Sequence, residues 1–174
     1  MNIIKKTLLL SLIAVFSAGI FAEGTYVLNA ERAMLSTQYA KDTFSKLEQD
    51  SDFIADRERL ELLQAEGQEL VEKFQQDQET MSDQQKLDMQ KKVQDKQNEI
   101  QFLANKLQTK AQEAQQTVIN DLSADFQRIL GELINAKSMD MVLSPQALFY
   151  ADPDLDITDE VTALLDVSLA EKSD

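Results

Sequence analysis

The chain has no cysteine, no histidine and no tryptophan in 174 residues, and only two prolines and four glycines. Without cysteine there is no disulfide, thiol nucleophile or thiolate ligand. Without histidine there is no imidazole base and almost no route to a zinc, copper or haem site. The commonest catalytic toolkits are therefore missing. Basic residues are scarce too: 17 Lys and Arg stand against 31 Asp and Glu, a formal net charge of −14. That sign argues against nucleic acid and against anionic membrane surfaces as partners. Few helix breakers are present, and both prolines, Pro145 and Pro153, fall late in the chain.

Long apolar runs are scarce as well, with one exception. "TLLLSLIAVFSAGIF" follows the basic "MNIIKK" and leads into Ala22 and the polar "EGT". About fifteen apolar residues are too few to span a bilayer, and the charged start and small terminal residue form a secretory signal pattern. Residues 1–22 are expected to be a signal peptide cleaved after Ala22. The exported remainder would have no stable membrane insertion. Loss of Lys5 and Lys6 leaves 15 bases against 31 acids.

What is present is helix. "TYVLN", residues 25–29, reads as a short strand after a glycine, and Asn29 as the N-cap of a helix with Glu31 in its first turn. From there to about Thr80 only Gly67 interrupts. Some fifty residues would reach roughly 75 Å, a length that needs a partner along it. A heptad frame places Phe53, Leu60, Gly67, Phe74 and Met81 on one line and Leu63 and Leu70 on the other, with Asp56 and Asp77 as blemishes. "MSDQQKL" offers a turn, where Ser82 and Gln85 form a capping box. On the return, Val93, Ile100, Leu107 and Ala114 alternate with Ala104, Ala111 and Val118, interrupted by Gln97. The pattern predicts an antiparallel two-helix coiled coil with a tip near 80–84. With the turn near Ser82, Phe53 should face Ala111, Leu60 face Ala104, and Gly67 face Gln97. The sixteen glutamines between Gln64 and Gln127 keep the outer faces polar. The lysines from Lys86 to Lys110 read as a solvated face paired with nearby acids.

Beyond Val118 the apolar positions crowd together through Leu122, Phe126, Ile129, Leu130, Leu133 and Ile134, so this end buries a wider face. "MDMVLS" and "ALFYAD" then read as two strands joined at Pro145-Gln146. With "TYVLN" they make three short strands, a body too small to stand alone with open edges that invite oligomerisation. The expected organisation is a β assembly body from residues 23–30 and 138–174, including a terminal helix, and a helical arm from 31–137. The body residues are Tyr26, Val27, Leu28, Met141, Val142, Leu143, Leu148, Phe149 and Tyr150.

"DPDLDITDE", residues 152–160, spaces its acids by two and invites a calcium reading. An EF-hand loop would need glycine and glutamate where this chain has Ile157 and Ala163. A turn and a helix capped at Thr158, with Asp159 and Glu160 in its first turn, fits better. The tail "VSLAEKSD" carries no motif. Carboxylates are plentiful, but a coiled coil has no concave apolar cleft, so no catalytic residue, metal ligand or cofactor is assigned.

"YVLNAERAML", "MSDQQKLDMQKKV" and above all "MDMVLSPQALFYADPDLDIT" make the chain resemble the Skp/OmpH family of periplasmic chaperones. The resemblance implies a mainly α protein with a small β body: a long antiparallel coiled-coil helical hairpin projecting from a β-barrel body assembled from three chains. It implies a homotrimer in the periplasm that holds unfolded outer-membrane β-barrel proteins between its arms without ATP. The chain departs from the strongly basic members of the family in being acidic. Phe44, Met81, Met89 and Phe102, the apolar arm residues least explained by packing, and Lys91, Lys92 and Lys96 are the candidate client contacts. An exported structural or adaptor protein of the cell envelope is the competing reading.

Overall fold

The computed structural model describes residues 24–173; the expected signal peptide lies outside the described residues. Strand β1 (Thr25–Val27) runs into helix α1 (Ala30–Leu35), and the outgoing path continues as α2 (Gln38–Glu48) and α3 (Ser51–Asp77). A tight turn leads to α4 (Asp83–Lys137), which returns to the base; β2 (Met141–Leu143) and α5 (Thr158–Ser173) complete the chain. Helix α4 has 55 residues, about 82 Å at 1.5 Å per residue.

Two capping predictions hold. The Asn29 side chain accepts the amide of Arg32 at the start of α1. At the tip, the Ser82 hydroxyl accepts the Gln85 amide and the Gln85 side chain accepts the Ser82 amide. Each satisfies donors that a helix start leaves without intrahelical partners.

The outgoing stretch, expected as one helix, is three. Thr37 breaks it once: its buried hydroxyl accepts the Ala40 amide and donates to the Met34 carbonyl at 2.8 Å. Asp50 breaks it again, accepting the Phe53 amide at 2.8 Å. Both residues offer the backbone a local bond that competes with helix continuation. Gly67, the expected weak point, lies inside the unbroken α3.

The base also differs from the expected three-strand body. β1 pairs with β2 in parallel, Tyr26 opposite Val142, and Val27 makes one further bridge to Asp156 on its other edge. Parallel strands need a long crossover, and here the whole arm is that crossover. The chain reverses after α4 at Ser138, which takes a left-handed conformation (φ 50°). Gly24 seats the joint. Its carbonyl accepts the amides of Asp140 and Met141, its φ is +91°, and a Cβ there would lie 2.9 Å from the Asp140 nitrogen. "ALFYAD" is not a strand. Pro145–Ala147 forms a 3-10 turn and residues 148–152 are irregular, because the β1 edge nearest them is partly taken by Asp156.

The core sits at the base. Val118, Leu122, Ile129 and Leu133 from α4 meet Val161 and Leu165 from α5, with Ala33 and Met34 of α1 between them. The crowding of apolar residues after Val118 is thus matched by three neighbouring helices. α5 begins at Thr158, and its cap differs from expectation. The Asp156 carboxylate accepts the Thr158 amide, while the Thr158 hydroxyl accepts the amide of Asn29. The acids of the suspected calcium loop serve as such caps, Asp152 likewise accepting the Asp154 amide. Asp159 and Glu160 pair with Arg32 and Lys137.

Candidate functional site

In the arm, α3 and α4 pack side by side, and their register is close to that expected. Glu66 pairs with Lys96 and Asp56 with Lys106, each at 2.8 Å. The seam at Gly67 is filled differently, however. The atoms nearest a Cβ at Gly67 are Ile100 Cδ1 and Lys96 Cγ, each at 3.3 Å, whereas Gln97 is exposed. Ala111, expected in the seam opposite Phe53, is exposed as well. Leu63 is buried in α3 and Leu60, Leu70 and Phe74 are half-buried. A groove of about 390 Å³ lies beside Gly67, with Val71, Val93 and Ile100 in its wall.

The supposed blemish Asp56 is an ion-pair centre. Its side chain is only 15% exposed, between Lys106 and Lys110 at 2.8 and 3.6 Å. The Lys106 hydrogen bond holds its carboxyl below the ordinary aspartate range. Lys96 does the same for Glu66. Part of the lysine row is therefore spent on acids of α3, as the pairing argument predicts. Lys91 and Lys92 are exposed and form no ion pair among the described residues.

The apolar candidates separate by environment. Phe44 packs half-buried against the base core, which accounts for it as filler. Met81 at the tip and Met89 on α4 are half-buried. Phe102 is 70% exposed on the outside of the arm, joined by Leu62 and Leu87, which the sequence reading missed. Both leucines lie outside the heptad lines, and that was the available signal.

At the base, Val27 and Leu28 are buried, while Val142, Leu143 and Leu148 are half-buried. Tyr26 is half-buried with the Lys137 ammonium 5.7 Å above its ring. Met141, Phe149 and Tyr150 are exposed, Phe149 completely. An apolar patch beside a strand with an unpaired edge is a surface that favours association. Among the described residues, no cluster of three or more acids is arranged to hold a metal, and no helix is long and apolar enough to cross a membrane.

The arm is thus long and paired, with Phe102, Leu62 and Leu87 exposed on its outside, and it stands on a small base where Met141, Phe149 and Tyr150 are exposed. The chain belongs to the OmpH-like outer membrane protein family, whose model matches residues 24–165. A solved structure of a candidate outer membrane chaperone (OmpH-like) from Caulobacter crescentus CB15 is similar at 19% identity. The match covers 83% of this chain and 85% of that one, with a TM-score of 0.47. No curated protein matches the chain.

Proposed function

We propose that this protein is an ATP-independent holdase of the periplasm, exported by its signal peptide. It binds unfolded outer-membrane β-barrel proteins between the arms of a homotrimer and prevents their aggregation. The observation that carries the reading is the arm: helices of 27 and 55 residues that present Phe102, Leu62 and Leu87 to solvent. Membership of the OmpH-like family supports it. An unfolded barrel protein exposes alternating apolar segments that aggregate by edge pairing. A surface of several weak apolar contacts holds such a chain by their sum and releases it contact by contact. Binding the unfolded form shifts its equilibrium by mass action, so no nucleotide is needed. The exposed Lys91 and Lys92 add unpaired positive charge to an otherwise acidic arm. Met141, Phe149 and Tyr150 supply the assembly surface, where strands from three chains pool into one body.

Light-scattering mass tests this directly, with the mature protein alone and after mixing with an outer-membrane barrel protein diluted from urea. The expected result is a trimer that becomes a soluble trimer-plus-client species. A trimer that leaves the client to precipitate would transfer the function to the adaptor reading, and a monomer would overturn the assembly.

A further inference from the structure

The outer half of the arm differs in chemistry from the inner half. Nearer the base, ion pairs flank the seam between α3 and α4: Lys110 with Asp50, Lys106 with Asp56, and Lys96 with Glu66. Among the described residues, no ion pair crosses the seam from Lys96–Glu66 out to the tip. In that stretch the groove beside Gly67 continues toward the tip into a second hollow of about 460 Å³, and the two share Val71, Gln75, Val93 and Gln97. Together they run along α3 from Gln64 to Gln78, about 21 Å at 1.5 Å per residue. The floor is apolar: Val71, Phe74, Val93 and Ile100, all half-buried. The rim carries seven glutamines and two charged residues of opposite sign, Glu72 and Lys96. Lys96 is already held by Glu66, and Glu72 accepts the Gln68 side-chain amide. In a chain that is 28% charged, this is an uncharged window. At its middle, the side-chain amides of Gln75 and Gln97 are exposed and make no hydrogen bond among the described residues.

Gly67 holds the inner end of the groove open. It has no positive φ, so the backbone does not require glycine, which costs a helix interior about 1 kcal/mol relative to alanine. What it provides is space, since a Cβ there would approach Ile100 and Lys96, both in the groove wall. We propose that this groove seats one extended, uncharged client segment of about six residues with alternating apolar side chains. The lengths agree: six residues of strand at 3.3–3.4 Å each span about 20 Å. Every second side chain enters the floor, while the segment's backbone N–H and C=O groups meet the rim. A glutamine amide both donates and accepts, so the rim bonds a strand backbone whatever its sequence. The membrane strands of barrel proteins have this alternation, with an apolar face free of charge. The inference deepens the holdase reading and rests on it for the occupant, but the seat lies within a single arm.

The probe is a blocked ten-residue peptide alternating leucine with serine, added to the mature protein. Methyl NMR follows Val71, Val93 and Ile100 in the groove against Val161 and Leu165 in the base core. The groove methyls should shift and the base methyls should not. Q75E/Q97E keeps side-chain size and removes an amide donor at each position; it should weaken binding roughly tenfold, the scale of two modest hydrogen bonds. Gly67→Ala should weaken it roughly fourfold, the scale of one methylene excluded from an apolar site, while leaving the arm no less stable. Native protein whose groove methyls do not move, or an affinity unchanged in both variants, overturns the proposal. The two readings fail separately. A protein that keeps barrel proteins soluble with unmoved groove methyls retains the holdase function and loses this seat. A protein that seats the peptide but lets barrel proteins precipitate retains the seat and loses the holdase function.

Discussion

Gly67 offers a test in which the sign of the effect rests on two close approaches. Replacing it with alanine removes the helix-interior penalty of glycine, a gain of about 1 kcal/mol. Against this, the new Cβ would sit 3.3 Å from Ile100 Cδ1 and 3.3 Å from Lys96 Cγ, tighter than ordinary contact. Lys96 has little freedom to move, because its ammonium is held by Glu66 at 2.8 Å. Ile100 must therefore give way, and a partial departure from its rotamer costs about 0.5 kcal/mol. The net expectation is that Gly67→Ala stabilises the arm by about 0.5 kcal/mol. Ile100→Val deletes Cδ1, the group that has to give way. In that background the alanine should gain nearly the full 1 kcal/mol, a coupling of about 0.5 kcal/mol between the two sites. The assay is native-state hydrogen exchange over Leu63–Phe74, which reads the arm locally where a global melt would mix it with the base. Exchange should slow by roughly twofold in Gly67→Ala and roughly fivefold when the alanine is added to Ile100→Val. Faster exchange on adding alanine in both backgrounds would refute the reasoning, and would mean that the seam at Gly67 has no room to adjust.

Leu63→Ala removes the buried anchor of α3 and should weaken arm protection by about 2–5 kcal/mol, read by the same exchange experiment; a loss under 1 kcal/mol would show that the seam collapses onto the gap. Asp56 has a depressed folded pKa, so its pairing contributes stability above the ordinary aspartate range, lost as pH falls through the folded value. Asp56→Asn should thus lower the melting temperature at neutral pH, and its difference from the native protein should close in acid; a difference that persists at the lowest pH would sink this account. Phe149→Ser should reduce the light-scattering mass at fixed concentration while helical circular dichroism is retained, and an unchanged mass would remove Phe149 from the assembly surface.

The features legible in the sequence were those set by local chemistry or by a repeating period. The Ser82–Gln85 capping box, Asn29 as a cap, the strand at Thr25–Val27 and the antiparallel pairing of the arm all depend on residues a few positions apart, or on a heptad line that continues for many turns. Exposed residues off that line, Leu62 and Leu87, were legible in principle, since a leucine outside both core positions has no seam to enter. The breaks at Thr37 and Asp50 were not, because neither residue is a proline or glycine, the breakers that mark a helix end most plainly. Whether such a side chain caps a new helix depends on how the chain must bend to meet α4 and α5.

Tertiary structure alone decided the base. A strand is stable only with a neighbour, so "ALFYAD", with suitable strand composition, stays irregular where Asp156 takes the edge of Val27. β2 runs parallel to β1 because the chain reverses at Ser138. Gly67 is met by Ile100 and Lys96, the residues on either side of the expected Gln97, since a small offset in register changes which side chains meet while leaving the heptad pattern intact. The tail "VSLAEKSD" acquires its contacts in the same way: Asp125 and Arg128 lie 40 or more residues from their partners Lys172 and Ser168. Composition and period determined that this chain would be a long helical hairpin. Only the packing of distant segments against one another determined how that hairpin is held at its root.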